Sequence, residues 1–173
     1  VDDAAGVAMA VGHLARLGHR ALLWLGPDDD DDSSVERRRH ACLAACRRCG
    51  LRLDERHVSW RAAVAQRREG GGVEAQIEAV RRAVAGWPEL GALASAVVCY
   101  DDNVAFGLYA AAAGLGLRIP DALSVVGYDD IHAACVWPGL TTVSHELPAI
   151  GRQAAALIVE LAENYGCSAI VMG

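Results

Sequence analysis

Two short stretches carry the residues most able to do chemistry. Tyr100-Asp101-Asp102 and Tyr128-Asp129-Asp130 are near copies, each following a short apolar run, Val97 to Cys99 in one case and Ser124 to Val126 in the other. Runs this short suit parallel strands covered on both faces. A carboxylate is an acceptor, and a pair of them beside an arginine fork is what paired hydroxyls on a small polar molecule require. Arginines are at hand in Arg37-Arg38-Arg39.

The elements that must position these groups follow from the pattern between them. Val104, Phe106 to Ala113 and Leu115 supply a helix, with Asp102 expected as its N-cap and Gly114 and Gly116 at its end. The stretch from Ala94 to Asp130 is thus a complete βαβ unit, and its two Tyr-Asp-Asp turns fall at the carboxyl edge of the strands, where open α/β sheets bind ligands. Around it the chain alternates. A helix is predicted over 3–17, a strand over Ala21 to Leu25, and a helix from Val35 to about Cys49. A strand over Val58 to Trp60 and a helix over Val73 to Ala85 come next. After the central unit come an apolar bend from Val136 to Leu140, a strand over Thr141 to Val143, a helix from Pro148 to about Glu163, and a final strand over Ser168 to Met172. The expected fold is α/β, a doubly wound and mainly parallel sheet with helices on both faces.

Composition narrows the classes. With 53% hydrophobic and 22% charged residues among 173, the chain is globular. A net charge of −6 argues against its gripping nucleic acid by itself. No apolar run approaches the roughly 20 residues of a membrane span, and residues 1–20 lack a signal-peptide pattern, so a cytoplasmic chain is expected. Six cysteines without scaffold spacing fit a reducing compartment.

Several motifs fail as sites. Asp28 to Asp32 alternate like a calcium loop, but Ser33 and Arg39 stand where that loop needs Gly and Glu. Cys46-Arg-Arg-Cys49 sits at a helix end rather than a helix start, so Cys42, Cys46 and Cys49 are expected as small core residues. There is no nucleophile elbow and no phosphate loop. No metal, no cofactor and no catalysis are expected.

Four stretches together resemble the sensor half of the LacI/GalR transcription regulators: GHLARLGHRALLWLGP at 12–27, SSVERRRHACLAA at 33–45, VVCYDDNVAFGLYAAAAGLGLRIPDALSVVGYDDI at 97–131 and PGLTTVSHELPAIGRQAAALIVEL at 138–161. The resemblance implies a periplasmic-binding-protein-like fold, with a carboxyl-terminal effector-binding subdomain over 19–146. It also implies that helix 1–18 comes from the amino-terminal lobe and that 147–173 is a helix returning to it, followed by an atypical tail.

Family ligand contacts carry over to Arg37, Asp101 and Asp129, and Arg37 is expected to neutralise one of these carboxylates when the site is empty. Trp60 and Tyr100 stand at strand ends where an aromatic face could stack on a sugar ring or a nucleobase. The implied partners are a small-molecule effector, carbohydrate in kind, a second copy of the chain in a homodimer, and DNA only through an amino-terminal domain outside this sequence. A dimer surface is expected at Val136 to Leu140 together with the helix 73–85. A transporter's solute-binding protein is the alternative, with an α/β enzyme behind it. Two departures stand out: Asp101 occupies a position where the family usually has Asn, and Cys42-Leu43 one where it usually has Gly and an aromatic.

Overall fold

The computed structural model describes residues 2–28, 33–59, 72–87, 89–131 and 133–165. The chain divides into two compact units, Val1–Val143 and Ser144–Gly173.

The first unit is built on a sheet of five strands: β1 (Ala21–Pro27), β2 (Arg52–Val58), β3 (Ala96–Cys99), β4 (Ser124–Asp129) and β5 (Thr141–Ser144), in the order β2-β1-β3-β4-β5. β5 runs one residue past the unit boundary. The pairs β1–β2, β1–β3 and β3–β4 are parallel, with Leu22 opposite Leu53, Leu23 opposite Val97, and Val97 opposite Val125. Strand order reverses between β1 and β3. That is the topological switch point, where connections diverge to opposite faces and leave a crevice at the carboxyl ends.

Successive residues of β1 serve the two faces, as a strand's two-residue period requires. Leu23 and Leu25 pack with Val80, Val84, Leu90 and Leu108 from α3 (Gly72–Ala85), α4 (Leu90–Leu93) and α5 (Asp102–Gly114). Leu22 and Trp24 pack with Val7, Val11, Leu14, Cys42 and Cys46 from α1 (Asp3–Arg16) and α2 (Ser33–Cys49). Burying each Leu or Val side chain contributes about 1.5–3 kcal/mol. Gly107 of α5 is required by this packing, because a Cβ there would stand 2.5 Å from Val80 Cβ and 2.7 Å from the Ile77 carbonyl oxygen.

Four expectations change. Helix α1 was assigned to another lobe, yet Val7, Val11 and Leu14 are buried against this sheet and α1 belongs to the first unit. The strand expected over Val58 to Trp60 runs earlier, over Arg52–Val58; its charged residues hid it, and they are tolerated because β2 is an edge strand, mostly half-exposed. Asp101, not Asp102, is the N-cap of α5. Of the three α2 cysteines, Cys42 and Cys46 are buried but Cys49 is exposed, in the last turn just before Gly50 turns the chain away. The expected strand 168–172, and Asp29 to Asp32 of the acidic run, lie outside the described residues.

The second unit holds α6 (Leu147–Tyr165), whose Ile150, Leu157, Ile158, Val159 and Leu161 are exposed. Among the described residues no helix is long and apolar enough to cross a membrane.

Candidate functional site

The carboxyl ends of β3 and β4 and the first turns of α1 and α2 meet in one charge cluster centred on Arg38. Its guanidinium is held on every edge. Nε donates to Asp3 Oδ1 at 3.1 Å, Nη1 to the Tyr100 carbonyl oxygen at 2.9 Å, and Nη2 to Asp129 Oδ1 at 3.1 Å. Aromatic rings flank it, with the ring centre of Tyr128 3.9 Å and that of Tyr100 5.0 Å from its central carbon. A delocalised, weakly hydrated cation can stack this way where an ammonium would not.

Asp3 closes the cluster from α1. It accepts from Arg38 and from Arg37 Nε at 3.1 Å, and Tyr128 Oη donates to it at 3.2 Å. Burial would raise this carboxyl, but the hydrogen bonds from Arg38 and Arg37 outweigh it and hold Asp3 below the usual aspartate range. Tyr128 is pushed up to about 12, first by burial and then by the neighbouring Asp3 charge. Tyr100 Oη pairs with Ser34 Oγ at 2.8 Å, tying the end of β3 to the start of α2.

Asp101 lies beside this cluster without a hydrogen bond from any arginine among the described residues. Its Oδ1 accepts from the Val104 backbone N–H at 2.8 Å, the capping bond, and its Oδ2 from Gln76 Nε2 at 3.2 Å. Burial, together with the nearby Asp129 charge, raises its pKa to about 6. Asp129 itself has φ +104° and Asp130 φ +59°, left-handed backbone that non-glycine residues seldom adopt.

Of the residues singled out in the sequence, the structure brings Tyr100, Asp101 and Asp129 to one rim. Trp60 lies outside the described residues. Arg37 does not take the central place. Its side chain is 58% exposed and pairs with Asp3 and Ser33, whereas the side chain of Arg38 is 10% exposed and neutralises Asp129. The reason is helical: one step along α2 turns a side chain by about 100°. Arg39 accordingly points elsewhere, to Glu36 and Glu55. Asp3 and Tyr128 were missed. Tyr128 had a signal, since it repeats the Tyr-Asp-Asp of residues 100–102; Asp3 had none, because its partners lie 34 to 125 positions away.

No group of three or more His, Cys, Asp or Glu among the described residues could hold a metal ion. At the other end of the strands, a small notch lined by His13, Leu14, Tyr109, Pro120 and Ser124 has no carboxylate or arginine in its wall.

A parallel sheet with helices on both faces and a switch point between β1 and β3 is the architecture of a periplasmic-binding-protein-like fold. The sequence matches the periplasmic binding protein-like domain over residues 11–166, and the chain belongs to that family. Within it, the kin are LacI/GalR regulators. The chain is 30% identical over 165 residues to the HTH-type transcriptional regulator GalR of Escherichia coli K12, covering 95% of this chain and 44% of that protein. Among solved structures, it superposes on a LacI family transcriptional regulator from Arthrobacter sp. FB24 in complex with lactose, with a TM-score of 0.74 at 22% identity, over 95% of this chain and 56% of that one. It also superposes on the dimeric Lac repressor with an 11-residue C-terminal deletion, with a TM-score of 0.76 at 23% identity, over 95% and 55%. The chain therefore spans about half the length of the relatives it matches.

Proposed function

We propose that this chain is the effector-sensing and dimerisation part of a LacI/GalR-like transcription regulator. It binds a small neutral polyol, a sugar or a close relative, at the carboxyl edge of β3 and β4. Ligand binding changes the state of the regulator, and DNA is read by a separate amino-terminal domain. Such a regulator works in the cytoplasm and releases its effector unchanged, so no turnover is expected.

The observation that carries this reading is the Arg38-centred cluster at the carboxyl ends of β3 and β4. Each nitrogen of Arg38 already donates to a group of the protein and its faces are flanked by tyrosines, so most of its capacity is spent inside the protein. What the described rim presents beside it are the acceptors of Asp101 and Asp129, which complement hydroxyl donors and repel phosphate. A lactose complex of a structural neighbour supports a sugar, and GalR supports a regulator over a transporter's solute-binding protein, the alternative use of this fold.

Thermal unfolding against neutral sugars, sugar phosphates, nucleosides and purines tests the proposal. A ligand at a hundredfold its Kd adds about 2.7 kcal/mol, or roughly 5–10 °C in a chain of this size. Neutral sugars should shift the melt and their phosphates should not, with the shift lost in Asp129→Ala. A shift by phosphates alone would refute the polyol reading. For the dimer, the proposed surface is Val136 to Leu140 with α3, where the Trp137 residue is 93% exposed. The dimeric Lac repressor supports self-association, and the exposed Trp137 supports this surface. Equilibrium sedimentation should show a dimer that Trp137→Glu dissociates; a wild-type monomer at high micromolar concentration would remove this assignment.

A further inference from the structure

Asp102 stands directly beside the candidate ligand residue Asp101 but does different work. Its side chain leaves the first turn of α5 and reaches across to β4 and β5. Oδ2 accepts from the Ile131 backbone N–H at 2.6 Å, and Oδ1 accepts from Thr142 Oγ1 at 2.6 Å. The Tyr128 backbone N–H bonds to the same carboxylate. These contacts bracket Asp129 and Asp130, the two residues held in left-handed backbone. The chain keeps room for the carboxylate as well, since a Cβ on Gly127 would collide with Asp102 Oδ1.

We infer that Asp102 is a positioning residue for the effector site, a clamp that holds the 128–131 turn so that Asp129 faces Arg38 and the ligand. The ligand half of this inference rests on the effector-site reading above; the clamp half does not. Left-handed backbone at a non-glycine residue costs free energy and persists only where its surroundings over-determine it. Hydrogen bonds on both sides of that backbone, all accepted by one buried carboxylate, are the constraint. Asp102 bonds to the backbone of the turn, whereas the Arg38 guanidinium bonds to Asp3, Asp129 and the Tyr100 carbonyl, so the influence of Asp102 on Arg38 passes through the turn.

Asparagine makes a discriminating variant. Its amide oxygen, with two lone pairs, can accept from the Ile131 and Tyr128 N–H groups while its NH2 donates to Thr142, whose hydroxyl can reverse its role. Leucine can do neither. The test is amide hydrogen exchange followed at Ile131 and, as a reference for the core, at Val98, together with melts against lactose and the other neutral sugars. Asp102→Leu should speed exchange at Ile131 relative to Val98 by on the order of tenfold or more, and weaken sugar binding to a similar degree. Asp102→Asn should stay near wild type in both.

Unchanged Ile131 exchange in Asp102→Leu would overturn the clamp, and so would equal damage from Asn and Leu. If Asp102→Leu does not fold, Thr142→Val takes its place and must speed Ile131 exchange several-fold against Val98, or the clamp fails. If no sugar binds the wild-type chain, the effector reading falls while exchange at Ile131 still decides the clamp.

Discussion

Two neighbouring arginines of α2 sit in two different electrostatic worlds. Arg38 turns into the strand ends, where it is buried, flanked by two tyrosines and bonded to two carboxylates and a carbonyl. Arg39 turns outward and joins Glu36 at 2.9 Å and Glu55 at 2.9 Å over the β2 edge. On bond lengths alone the outer pairs look stronger. Burial reverses the ranking: the half-buried outer pairs remain within reach of water and salt, whereas removing one partner of the buried cluster strands uncompensated charge. Short distances therefore say little about which ion pair matters until solvent is counted.

The largest expected effect is that of Arg38→Ala, which leaves Asp3 and Asp129 without their buried cation. A loss of about 3–5 kcal/mol is expected, lowering Tm on the order of 10 °C. If Arg38→Ala proves as mild as Arg39→Ala in calorimetry, the contrast between the two regions is wrong.

Asp101→Asn sharpens the contrast from the other side. The folded state raises the Asp101 pKa to about 6, above its unfolded value of about 3.9, so the native state binds this proton more tightly than the unfolded chain. The favourable contribution is fully present below about pH 4 and is lost as pH rises through about 6. Ionised Asp101 at pH 7 thus costs on the order of 2–3 kcal/mol. Asparagine can still cap α5. Asp101→Asn should therefore melt higher than wild type at pH 7.5, and the gap should close by pH 4. A constant gap across that range would show that the carboxyl does not titrate as the geometry requires.

Tyr128→Phe is the third test. It keeps a ring on Arg38 and removes the hydroxyl that donates to Asp3. A loss of roughly 1 kcal/mol is expected in denaturant unfolding, with the midpoint falling and the slope unchanged. Arg39→Ala is the smallest, below about 1 kcal/mol and shrinking further in 1 M salt. Salt-independent destabilisation there would mean that the outer pairs are less screened than their exposure indicates.

Much of the site's frame was legible along the chain. The βαβ pattern of 96–129 and the two Tyr-Asp-Asp turns are local features, written in apolar runs, a capping carboxylate and helix-ending glycines, and the structure has both turns at one strand edge. Strand β2 was harder, because RLDERHV satisfies its pairing through the backbone and gives hydropathy nothing to detect.

What the sequence by itself determined was the alternation of elements and the kind of chemistry at their ends, since periodicity and capping act over a few residues. Only the tertiary structure decided which arginine of three turns inward, that Asp3 joins it from another helix, and that Asp101 caps while Asp102 reaches to β5. A step of one residue on a helix redirects a side chain by about 100°, and contacts across 35 or 125 positions exist only once the sheet has brought its strand ends together.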